Sequence, residues 1–233
     1  MSSTQRAAHR RDHRSVLAAL EKKLLIAIAR RLPRWVSSDL LTLFALASMG
    51  AAGLAFAHIT DGPWSAAAVV AALAANWFGD SLDGTLARVR GHERPGYGFY
   101  VDHVVDLMGI TALVAGMGAS GAMRPIVAAA VLAGYVLVAA ETFLATHASG
   151  VFRLSFGGIG GTELRLLLAV AAVRVAANPM AAVPGVGVMP LLDVGGVIGA
   201  AGLGVAFLIS AARNARALYL AEPLPVDRAG RAA

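Results

Sequence analysis

Four aspartates stand in otherwise apolar sequence, at Asp80, Asp83, Asp102 and Asp106. The first two are three residues apart and the last two four apart. On a helix, either spacing puts both carboxylates on one face. Two such helices facing each other bring four carboxylates to one place. Four negative charges do not stay together in a low-dielectric setting. A cation has to join them, and an all-oxygen donor set calls for a hard divalent metal.

Other polar residues lie close enough in sequence to matter. Asn76 is one turn before Asp80, as a partner of the site or as an interhelix hydrogen bond. Gly84 and Ala87 follow on the same helical surface, where small side chains leave room for a flat ligand or for tight helix packing. Arg88 can meet phosphate, brace an aspartate or anchor the chain at a membrane surface. Gly98 is expected to let its helix approach the preceding one closely. His103 adjoins Asp102, but adjacent helical residues point apart, so it is read as a non-ligand. Glu141 lies in mid-segment and is expected to face inward. Arg153 and Arg165 flank a glycine-rich stretch, as a receptor for a substrate phosphate or as snorkelling anchors. Thr162 is read as a helix N-cap with Glu163 in the first turn.

The elements that must hold these residues follow from composition. Of 233 residues, 58% are hydrophobic and only 15% charged, against about 25% charged in an ordinary soluble domain. Six apolar segments fall near 36–58, 63–90, 98–120, 123–147, 161–178 and 190–218. The fold expected is all-α, a bundle of six transmembrane helices. Residues 15–32 repeat apolar positions at helical spacing among Glu21, Lys22, Lys23, Arg30 and Arg31. That pattern predicts an amphipathic helix lying on a membrane surface and ended by Pro33. The expected organisation is a basic N-terminus and interfacial helix over 1–34, a transmembrane domain over 35–220 and a disordered tail over 221–233. There are no cysteines, which excludes thiolate metal sites and a cysteine nucleophile. No cleavable signal peptide is expected, because the first apolar run is amphipathic.

Charge placement gives the orientation. With six spans, Arg124 and Arg174 alone among the 20 Lys and Arg fall on one side. The positive-inside rule then puts both termini and the aspartates in the cytosol. Asp80 lies roughly 26 Å along its helix from Pro63, near the far boundary of a hydrocarbon core about 30 Å thick. The net charge is +6, and the expected partners include membrane lipids and no nucleic acid.

Read together, the residues spell D80-xx-D83-G84-xx-A87-R88, then G98-xxx-D102-xxx-D106. This resembles the signature of the CDP-alcohol phosphotransferase family at all eight of its defined positions. The resemblance implies an integral membrane enzyme of phospholipid biosynthesis, in the cell's inner membrane and forming a homodimer. Members let an alcohol hydroxyl attack the pyrophosphate of a CDP-linked substrate and release CMP. The implied substrates are CDP-diacylglycerol and a small polar alcohol. An aminoalcohol phosphotransferase, moving a phospho-alcohol from a CDP-alcohol to diacylglycerol, is the alternative within the same chemistry. By resemblance Asp80, Asp83, Asp102 and Asp106 hold two Mg2+ or Mn2+ ions, and Asp106 is the candidate general base. Gly84, Ala87, Arg88 and Thr42 are the candidate nucleotide contacts. A divalent-cation transporter is the competing class, but transport sites sit near the bilayer midplane, commonly on broken helices. These aspartates fall at one boundary and are followed by Ala87-Arg88.

Overall fold

The computed structural model describes residues 16–149 and 161–222. The N-terminal polar segment, the glycine-rich stretch with Arg153 and the tail from Pro223 lie outside the described residues.

The described chain runs α1 (Val16–Arg31), α2 (Ser38–Ala57), α3 (Pro63–Arg90), α4 (Pro95–Ala119), α5 (Pro125–Ser149), α6 (Gly161–Ala177), β1 (Met180–Val183), β2 (Gly187–Pro190) and α7 (Leu191–Ala221). Local sequence sets the boundaries. Pro63, Pro95 and Pro125 each open a helix, where a missing N–H costs nothing. Ser37 caps α2 by accepting from the Leu40 amide at 3.1 Å. Gly91 ends α3 in the left-handed conformation, with φ 67°, a geometry glycine tolerates without a Cβ penalty.

Helices α2 to α7 coincide with the six apolar segments expected. Four of them, α2, α4, α5 and α7, are long and apolar enough to cross a membrane. Helix α6 has 17 residues, and α3 carries Asn76, Asp80 and Asp83 within its length. Leu54, Ile126, Leu144, Leu167, Val170, Ile198 and Leu208 are exposed. In a membrane protein such side chains face lipid. Trp35 and Trp64, just before α2 and at the start of α3, are also exposed, as aromatic residues at membrane interfaces are.

A short hairpin β1–β2 fills the Pro/Gly-rich connection between α6 and α7. It pairs Met180 with Pro190 and Val183 with Gly187. Pro184 and Gly185, the latter at φ 78°, supply the two middle positions of a type II turn, closed by Val186 N–H to Val183 O at 3.1 Å.

Helix α2 is the hub. Both α3 and α4 pack on it, α3 also packs on α6 and α1, and α5 links α4 to α7. The approach to α2 is close because glycines face it. A Cβ on Gly116 of α4 would fall 1.9 Å from Gly53 O, and one on Gly79 of α3 would fall 2.9 Å from Leu41 O. By contrast, a Cβ on Gly98 would meet nothing within 4 Å. The close approach expected at Gly98 is therefore absent, because the first turn of α4 is exposed.

Two apolar cores bracket a polar level along α3. One gathers Phe56, Val69, Leu73, Leu113, Met117 and Val175. The other joins Leu25 and Ala29 of α1 to Leu41, Leu82 and Leu86. The apolar stripe of α1 is thus partly spent on protein. Arg90, at the end of α3, donates to the carbonyls of Leu32, Pro33 and Val36, satisfying groups left open where α1 stops.

Candidate active site

Asp80 and Asp83 project from α3, and Asp102 and Asp106 from α4. All four line one small cavity of about 40 Å3 with Thr42, Asn76 and Arg165. The two acidic helices do not simply face each other. Both lean on α2, and the gap between them is floored by Ala45, Leu46 and Met49. Gly109, one turn beyond Val105 on α4, keeps the floor low: a Cβ there would touch Met49 at 3.2 Å.

Each carboxylate of the first pair is held by donors. Asp83 accepts from Thr42 Oγ1 at 2.7 Å and from the Gly84 amide. Ser38 Oγ donates to the Asp83 carbonyl at 2.7 Å, so the start of α2 grips this turn of α3 twice. Asp80 Oδ2 accepts from Arg165 Nη2 at 2.7 Å, and Arg165 Nε donates to Asn76 Oδ1 at 2.7 Å. Asn76 in turn donates to Ala45 O at 2.9 Å. It is both of the things expected of it, a partner of the site and an interhelix bond. Asp106 lies within electrostatic reach of Asp102, Asp80, Asp83 and Arg165.

An all-oxygen set of four carboxylates suits Mg2+ or Mn2+, and a cationic side chain already sits among them. Among the described residues, no three acidic or imidazole groups converge on one point as the side chains stand. Asp83 turns to Thr42 on α2 and Asp80 to Arg165 on α6.

Other expected residues fall at varied distances from the cavity. Gly84, Ala87 and Arg88 lie on the next turns of α3 and do not line it. Arg88 Nη2 donates to Thr85 Oγ1 at 3.1 Å, and its guanidinium lies across Gly84. His103 bonds Phe99 O at 2.7 Å and meets Phe143 edge-on. Thr162 is the second residue of α6 rather than its cap, because the helix already begins at Gly161; Glu163 does lie in the first turn. Glu141 is buried, and accepts from Ser210 Oγ and Asn214 Nδ2, both at 2.7 Å. It faces α7, away from the aspartates.

Two features were not legible beforehand. Asp193 at the start of α7 is fully buried and bonds Arg124 through both its backbone amide (2.7 Å) and Nε (2.6 Å). Arg94 forks onto both oxygens of Asp39 at 2.7 Å and covers the Tyr97 ring. That pairing raises Arg94 above its ordinary pKa. Charge alone signalled these residues, and their partners are 69 and 55 residues away.

A family model described as CDP-alcohol phosphatidyltransferase matches residues 35–212. No curated protein gave a match. Among solved structures, the chain resembles Mycobacterium tuberculosis phosphatidylinositol phosphate synthase with CDP-DAG bound, at 21% identity and a TM-score of 0.58. The similarity covers 84% of this chain and 94% of that one.

Proposed function

The chain belongs to the CDP-alcohol phosphatidyltransferase family, a family of membrane transferases of phospholipid synthesis, and we propose that it moves a phosphatidyl group from CDP-diacylglycerol to a small polar alcohol. The observation that carries this reading is the meeting of Asp80, Asp83, Asp102 and Asp106 with Thr42 in one cavity. That the mycobacterial structure of similar fold has CDP-DAG bound supports the choice of donor.

In this reading the acceptor oxygen bonds to the lipid-side phosphorus, the bond to the CMP oxygen breaks, and Asp106 takes the hydroxyl proton. Two Mg2+ or Mn2+ ions, held by Asp80, Asp83, Asp102 and Asp106, would stabilise charge on the attacking and leaving oxygens and acidify the hydroxyl. Thr42 and the Gly84 amide fix Asp83. Gly84, Ala87 and Arg88 form the surface beside which the cytidine lies.

The membrane arrangement proposed has six spans, α2 to α7, with a basic N-terminus and the interfacial helix α1 within 1–34 and the catalytic domain over 35–220. Arg165, at the start of α6, reaches Asp80 near the end of α3, and Asp193 of α7 reaches Arg124 before α5. Those two pairings are what an alternating weave of six spans requires. The arginine and lysine distribution supports a cytosolic site in the cell's inner membrane. A homodimer is proposed from family membership.

The test is CMP release by purified protein from CDP-diacylglycerol, with Mg2+ or Mn2+, across a panel of alcohols. Activity should vanish with EDTA and return with either ion. Release from CDP-alcohols plus diacylglycerol, and not from CDP-diacylglycerol, would reverse the assignment of donor and acceptor. No CMP under either arrangement would remove the proposal.

A further inference from the structure

Arg165 joins the acidic cavity from a third helix, and its placement goes beyond pairing. Nη2 is on Asp80 and Nε on Asn76. The amide of Asn76 is itself fixed, because its nitrogen donates to Ala45 O. Its oxygen must then face Arg165. The guanidinium is gripped at two points by a chain that runs from α2 through α3 to α6. Both members of the pair are largely shielded, with side-chain exposures of 19% for Arg165 and 33% for Asp80.

The cavity beside them is small, about 40 Å3. A guanidinium and a divalent ion held by the same Asp80 carboxylate bring two positive centres close together. They repel each other across such a gap. The carboxylates need positive charge in either state.

We propose that Arg165 is a tethered cation that occupies the acidic site in its metal-free form and surrenders Asp80 when a divalent ion binds. This rests on the reading of the aspartates as a divalent-ion site. Arg165 here is a positioning residue. It keeps the metal-free carboxylates from repelling one another, and it lowers the affinity for the ion that replaces it.

The experiment is a Mn2+ titration of the metal-free full chain in nanodiscs, followed by the electron paramagnetic resonance of free Mn2+, for wild type, Arg165→Gln and Arg165→Lys. Arg165→Gln should bind Mn2+ about tenfold more tightly, within the usual range of coupling between competing ligands. Arg165→Lys, which keeps the charge, should stay nearer to wild type. Metal-free Arg165→Gln should melt earlier than wild type, with the gap closing when Mn2+ is saturating. If wild type and Arg165→Gln bind Mn2+ equally, or the variant binds more weakly, the metal site stands and the role of Arg165 is overturned. If neither binds Mn2+, the divalent-ion reading itself fails and takes this proposal with it. A measurement on unmodified protein covers a variant that does not fold. The guanidinium 15Nε signal of Arg165 should be that of a held group without metal and of a released one with Mg2+. An unchanged signal at saturating Mg2+ would also overturn the proposal.

Discussion

Thr42 Oγ1 donates to Asp83 Oδ2 at 2.7 Å across the interface of α2 and α3. The same hydroxyl lies 3.1 Å from Ser38 O in its own helix. One proton serves the shorter bond, so Thr42 aims a carboxylate rather than closing a turn. Thr42→Val keeps the shape and removes the donor. A hydrogen bond to a charged group contributes about 1.5–3 kcal/mol, so kcat/KM for CMP release should fall about tenfold or more. Thr42→Ser should recover most of it. Unchanged kinetics in Thr42→Val would show that Asp83 needs no aiming.

Asp106 is proposed as the base, and it shares the cavity with the other three carboxylates. Asp106→Asn removes proton acceptance with almost no change in volume. Turnover should drop by about 100-fold or more, in line with the usual contribution of a general base. Binding of Mn2+ and of CDP-diacylglycerol, measured by calorimetry, should survive. Full turnover would take the base role away from Asp106.

Asp193 is 0% exposed, whereas the Arg124 side chain is 60% exposed. The two partners therefore differ in what they leave behind. Arg124→Ala strands a buried charge that keeps only a backbone donor, which costs about 3–5 kcal/mol. Asp193→Asn leaves an arginine that water can solvate, and should cost about 1 kcal/mol. Thermal unfolding in detergent should rank the two in that order. Equal losses would mean that the Arg124 guanidinium is not what holds Asp193.

Gly116 and Gly98 make a matched pair on α4. A Cβ on Gly116 would collide with Gly53 O, and one on Gly98 would meet nothing. Gly116→Ala should destabilise the protein by about 1–3 kcal/mol through overpacking, with α4 and its aspartates displaced. Gly98→Ala should leave the melting temperature within about a degree or two, a surface-type change. A loss of activity in Gly98→Ala at unchanged stability would point to contact with substrate.

Much of the fold lay in the sequence because membrane helices carry strong local signals. Apolar length placed α2 to α7 to within a few residues. Helical spacing put Asp80 with Asp83 and Asp102 with Asp106. Local signals fail where distant elements decide. Gly98 looked like a packing contact, but glycines at 53, 79 and 116 make the close approaches, and only the packing on α2 selects them. Thr162 looked like a cap, but the helix starts one residue earlier. The hairpin at 180–190 was hidden by prolines at both ends, since a run that short is fixed by its turn.

The sequence by itself determined an all-α membrane chain, the four aspartates and the signature that links them to phosphatidyl transfer. These follow from spacing along single helices, and spacing is a local property. The tertiary structure decided which partners the aspartates have. Only the packing of α3 and α4 on α2 opens a gap floored by Met49 and brings Thr42 to Asp83. Only the docking of α6 on α3 carries Arg165 to Asp80. Such pairings join residues 41 and 85 positions apart, and no period along one helix encodes them.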